Sequence, residues 1–145
     1  MNSRFVLSTA AALTAAALTV GTAAQAEPTA VPLNGEVTVA GVPVGCTGIG
    51  QTRHDPKWKA YPVRIDFAKP NGDFLADVVV ALGHAKGAPM LEVSCAGPQV
   101  LFKLPPGRYS VQGSLSKSPE AKPQSATITA PASGQRVFVL HFPDA

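Results

Sequence analysis

The sequence predicts an all-β protein: a single Greek-key β-sandwich of about seven strands, with one short helical turn near Pro56–Ala60. Three observations carry this. Between Glu36 and Phe142, short runs rich in Val, Ile, Thr and aromatic residues recur about every 8–12 residues. Gly, Pro, Asn or Asp interrupts them, and no long helical period appears anywhere. Several runs alternate apolar with polar residues, which gives each strand one dry and one wet face, as two sheets packed on one core require.

The first residues set the compartment. Arg4 is the only charge before Glu27, residues 5–20 are apolar and rich in Ala and Thr, and Ala24-Gln25-Ala26 supplies the small-x-small ending of a secretory signal. The strongly apolar stretch is shorter than the roughly 20 residues of a bilayer span. The reading is a signal peptide over residues 1–26, cleaved between Ala26 and Glu27, and a periplasmic or secreted protein with no membrane insertion after cleavage. Removing 26 of the 145 residues leaves 119, which suits a single core. Residues 27–36, with Pro28 and Pro32, read as a loose N-terminal lead, and residues 37–145 as the sandwich domain.

The formal charge of +3 falls to +2 without Arg4, and the densest basic cluster is Lys57 with Lys59, so the charge pattern excludes a nucleic-acid platform. Two cysteines, Cys46 and Cys95, read first as a disulfide in an exported chain. Closing a loop of about 50 residues contributes roughly 4 kcal/mol in the chain-entropy model. Two buried thiols, or a soft-metal site needing more ligands than lie nearby, are the alternatives.

Residues 36–44, rich in Val and Thr, read as the first strand, and residues 45–51, with Gly45, Gly48 and Gly50, as a flexible loop around Cys46. Asp55-Pro56 starts the short helical turn, because Asp caps free N–H groups and Pro suits the first helical position. Pro62 ends it. Val63, Ile65 and Phe67 alternate with Arg64 and Asp66, a half-buried strand whose polar face reads as solvated. Asn71-Gly72 makes a turn. Further strands are expected over residues 75–82, 90–94, 100–104, 109–115, 126–130 and 136–142. In the last, Val137, Val139 and His141 face one way and Phe138, Leu140 and Phe142 the other. The sharpest local signal is Leu104-Pro105-Pro106-Gly107-Arg108-Tyr109, in which Pro106 presets one turn corner and Gly107 can take the positive φ of the next.

That hexapeptide resembles the LPPGxY turn of carboxypeptidase regulatory-like (prealbumin-like, or transthyretin-like) domains. Asp73-Phe74-Leu75-Ala76-Asp77-Val78 resembles their "ylAdV" strand, Gly97-Pro98 before Val100-Leu101-Phe102 their Gly-Pro-led strand, and Thr47-Gly48-Ile49-Gly50 the "GGIG" loop of small exported bacterial members. The resemblance covers residues 45–142. It implies a Greek-key sandwich of about seven strands with no catalytic residues of its own. The chain departs from the pattern at Thr47, where the loop motif has Gly, and at Gln99, where an aromatic is expected after Gly-Pro.

No constellation of reactive residues stands out. His54, His84 and His141 are far apart in sequence, and with Met90 or a cysteine they form no local ligand spacing. Ser94 and Ser110 lack a nucleophile elbow. Asp66 and Asp77 read as ordinary carboxylates rather than an acid–base pair. Trp58 with Lys57 and Lys59 is the one aromatic–basic cluster, either a surface for a sugar or peptide or a cap on the core. Tyr109 reads as packed and hydrogen-bonded near a sheet corner. The expectation is a non-enzymatic exported sandwich that acts as a structural, protein-binding or ligand-binding module without a cofactor. Its partner would be an unspecified protein or small ligand. A periplasmic metal- or small-ligand-binding protein is the alternative.

Overall fold

Ten strands form, and they divide into two five-stranded sheets packed face to face. The structure, a computed structural model, describes residues 16–17 and 27–145. The expected signal sequence through Ala26 lies outside the described residues, apart from Ala16 and Ala17. The strands are β1 (Thr29–Val31), β2 (Glu36–Val39), β3 (Val42–Thr47), β4 (Val63–Ala68), β5 (Val78–His84), β6 (Pro89–Cys95), β7 (Gln99–Phe102), β8 (Gly107–Leu115), β9 (Gln124–Ala130) and β10 (Arg136–His141). The first sheet runs β1-β6-β5-β8-β9 and the second β10-β4-β7-β3-β2. Both are mixed: β1 lies parallel to β6 and β10 parallel to β4, and the other pairs are antiparallel. The only helical segments among the described residues are two 3₁₀ turns, Gln51–His54 and Pro56–Ala60. The second matches the expected helical turn, with Asp55 Oδ1 accepting from Lys57 N at 2.9 Å.

The sandwich itself was expected; the strand count was not. Residues 36–44 form no single strand, because Ala40 and Gly41 take positive φ (50° and 79°) and fold β2 onto β3 as a two-residue hairpin. Ala-Gly lacks the Asn or Asp that marks such turns in a sequence. β3 runs on through Cys46 to Thr47, into what reads as a loop. The N-terminal lead holds β1, whose three residues pair with Val93, Ser94 and Cys95. The strand expected from Leu75 begins only at Val78, since Asp77 adopts φ 56°.

Alternation places Val63, Ile65 and Phe67 of β4, Val78, Val80 and Leu82 of β5, Leu91 and Val93 of β6, and Val100 and Phe102 of β7 in one core. Each such side chain contributes about 1.5–3 kcal/mol when fully buried. Phe67 stacks on Phe142 with centroids 5.7 Å apart. Cys46 and Cys95 form a disulfide, Cα–Cα 5.6 Å, that joins β3 of one sheet to β6 of the other. Tyr109 Oη donates to Pro105 O at 2.8 Å, closing the Leu104–Tyr109 turn into a tyrosine corner, with Gly107 at positive φ as expected.

Because Ala40 carries a Cβ in the left-handed region, Ala40→Gly should stabilise the fold by about 0.5–1 kcal/mol. Urea unfolding would report this as a higher midpoint at unchanged slope. A lower midpoint would show that the hairpin does not take this form.

Candidate functional site

The outer face of the second sheet differs from an ordinary wet face. Strand register sets its side chains in rows. Val137, Arg64, Leu101 and Gly45 form one row, and Val139, Asp66, Gln99 and Thr47 the next. His141, Ala68 and Phe74 form a third, with Phe74 bridged to Ala68 beyond the end of β7. All four residues of β7 are buried, so the centre of this sheet is covered on both sides.

The outer cover is residues 51–61. Trp58 and Tyr61 pack on Leu101 as a small second core, with ring centroids 5.8 Å apart. Trp58 Nε1 donates to Thr52 O at 2.8 Å, which ties the second 3₁₀ turn to the first. Gln135 Nε2 donates to Trp58 O and Tyr61 O, pinning the cover to the start of β10. The indole lies so close to β3 that a Cβ on Gly45 would sit 2.6 Å from Trp58 Cζ3. Burial, reinforced by the Glu36 carboxylate, pushes the Tyr61 phenol far above its ordinary value, although its oxygen has no hydrogen-bond partner.

Of the two readings of the Lys57, Trp58 and Lys59 cluster, the packing matches the cap rather than an open surface. Trp58 is 4% exposed and caps the sheet. Lys57 lies over its ring at 4.5 Å and reaches Glu36 only at 3.9 Å, an exposed pair of little energetic weight. Lys59 is exposed.

Asp66 also departs from expectation. It is 4% exposed rather than solvated. Arg64, on the same face, grips it with Nε–Oδ1 2.9 Å and Nη2–Oδ2 3.0 Å. Burial raises the Asp66 pKa, and the hydrogen bonds and charge of Arg64 pull against that rise. Thr47 and Gln99, 1% and 6% exposed, complete a row of buried polar groups. These two departures from the resembled family pattern are register partners. Thr47 Oγ1 donates to Asn34 Oδ1 at 2.8 Å.

Where the aromatic cover ends, Arg53, His54, Arg64, Phe74 and Gln99 line a cleft of about 230 Å³. Arg53 Nε donates to His54 Nε2 at 3.1 Å. Phe74, Val137 and Val139, 50%, 43% and 45% exposed, flank it on the same face. Strand register and the fold-back of residues 51–61 bring these residues together; Phe74 and Gln99 fall in the family-like runs, and no local motif marked Arg53 or Arg64. The histidines do not converge. His54 lies on the first 3₁₀ turn, His84 stacks on Tyr109 at the end of β5, and His141 ends β10. Among the described residues no three metal-ligating side chains form a group. No protein-family model matches the chain, and no curated protein does.

Two outcomes follow. Gly45→Ala should cost about 1–3 kcal/mol by overpacking. It should also shift the emission of Trp58, the single tryptophan, to the red as the indole lifts. An unshifted spectrum with unchanged stability would contradict the contact. For Asp66, a raised native pKa means that the native state holds more protons than the unfolded chain as pH rises from the ordinary carboxylate range to the native value, so stability falls across that window. Asp66→Asn should remove that fall, as measured by urea midpoints from acid to neutral pH. Parallel curves for the two proteins would refute the assignment.

Proposed function

We propose that the protein is a non-enzymatic, exported β-sandwich module that binds a partner through the open part of the second sheet's outer face, and that it is a divergent relative of the carboxypeptidase regulatory-like domains. The observation that carries the binding role is the cleft beside Phe74, Val137 and Val139, where exposed apolar side chains and two guanidinium groups meet on the outer face of the paired strands β10, β4 and β7. A core disulfide supports export, since such bonds persist in oxidising compartments. The tyrosine corner that closes the LPPGxY turn supports the relationship, as does the interlock in which β4 pairs with β7 and β5 with β8 across the two sheets. Of the second reading, the cleft favours a small ligand.

In-cell photo-crosslinking tests the role. A benzophenone side chain at Val139 should give a discrete adduct in the cell envelope, and one at Thr127, on the outer face of the first sheet, should give none. Adducts from Thr127 alone, or from neither position, would refute the binding face.

A further inference from the structure

We infer that the cleft under the first 3₁₀ turn is a carboxylate site: it takes a carboxylate that carries an apolar group of side-chain size, either a free organic acid or the C-terminus of a peptide. This rests on the reading of the outer face as a binding surface and names the chemistry of what binds there.

Charge is the first argument. The three ion pairs among the described residues involve Lys57, Arg64 and Lys117. Arg53 has no carboxylate partner among the described residues. His54 accepts its Nε hydrogen, which leaves the two terminal nitrogens of the guanidinium for a ligand. Arg64 uses one face of its fork on Asp66 and keeps further N–H donors. A planar guanidinium matches a carboxylate with two parallel hydrogen bonds.

Gln99 is the second argument. It is 6% exposed and lines the cleft. Its row neighbours are engaged elsewhere, Asp66 with Arg64 and Thr47 with Asn34. Its carboxamide has no protein hydrogen-bond partner among the described residues. The carboxamide is not shut off from solvent, and at the cleft wall its NH₂ stays available to donate to a ligand oxygen.

Size and polarity narrow the class. At about 230 Å³ the cleft lies below the roughly 300–1,000 Å³ of drug-sized pockets, so it holds a head group and one apolar substituent. Phe74 offers that substituent a half-exposed ring. A phosphate dianion fits less well, since the Asp66 charge already offsets that of Arg64 and leaves one uncompensated guanidinium.

The test is an NMR titration of the ¹⁵N-labelled full domain with N-acetyl-leucine, N-acetyl-leucinamide, isovalerate and inorganic phosphate. N-acetyl-leucine should shift the amides of Thr52, Arg53, Phe74 and Gln99 saturably at millimolar concentration, and its amide should not. Arg53→Gln, an exposed change that leaves the remaining spectrum intact, should weaken binding at least about tenfold. Gln99→Met, which keeps the stem, should weaken it several-fold. Isovalerate binding as tightly as N-acetyl-leucine assigns a free acid; markedly weaker isovalerate assigns a peptide C-terminus. No saturable shift, an equal response to phosphate, or unchanged affinity in Arg53→Gln would each overturn the site. A Val139 adduct with a silent titration would leave the binding face standing and remove the carboxylate assignment. Saturable binding without an adduct would do the reverse for a protein partner.

Discussion

The Cys46–Cys95 bond holds β3 against the opposite sheet, and the outer side of that strand depends on where it is held. Gly45 and Thr47 flank Cys46 and point the other way. Gly45 leaves room for the Trp58 ring, and Thr47 closes onto Asn34. A strand stapled inward at Cys46 thus seats the cover through Gly45 and the segment before β2 through Thr47. The cover in turn carries Arg53 and His54 to the edge of the cleft.

The outer face owes its polarity to a balance of burial and pairing. Asp66 in isolation would be costly to bury, and Arg64 makes it tolerable through two charge-assisted hydrogen bonds. Such a pair adds little net stability compared with apolar residues of the same shape. Its effect here is positional. The fork fixes the Arg64 guanidinium at the cleft wall, much as the His54 ring steadies Arg53. Two long, flexible cations are thereby held in place before any ligand arrives, which lowers the entropy lost on binding.

Much of the sandwich was legible in the sequence because alternation, turn chemistry and capping act locally. The Asp55-Pro56 turn, the Pro106-Gly107 corner with Tyr109, the two faces of β10 and the cysteine pair were all readable from neighbouring residues. The hairpin at Ala40 was not, because its residue types do not announce their backbone angles. β1 is only three residues long and takes its form from β6 rather than from its own pattern. For Trp58 the residues left a cap on the core open beside a surface, whereas the burial of Asp66 was invisible; what decides both is residues 51–61 folding back over β4 and β7, a long-range event that no periodicity encodes. The cleft follows from the same event. Its five lining residues come from four separate segments, which strand register and the fold-back of residues 51–61 make neighbours.

The parallel seam between β10 and β4 has a kinetic consequence. Val63 meets Arg136 across about 70 intervening residues, so the second sheet cannot close at that edge until nearly the whole domain has emerged. Loop closure over such distances is slow compared with local hairpin formation. A nascent chain built this way spends its early life extended, with its hairpins transient and its sheets unsealed. The topology thus withholds the finished sandwich until the C-terminal strand is available, and the bond between β3 and β6 then locks the two sheets together.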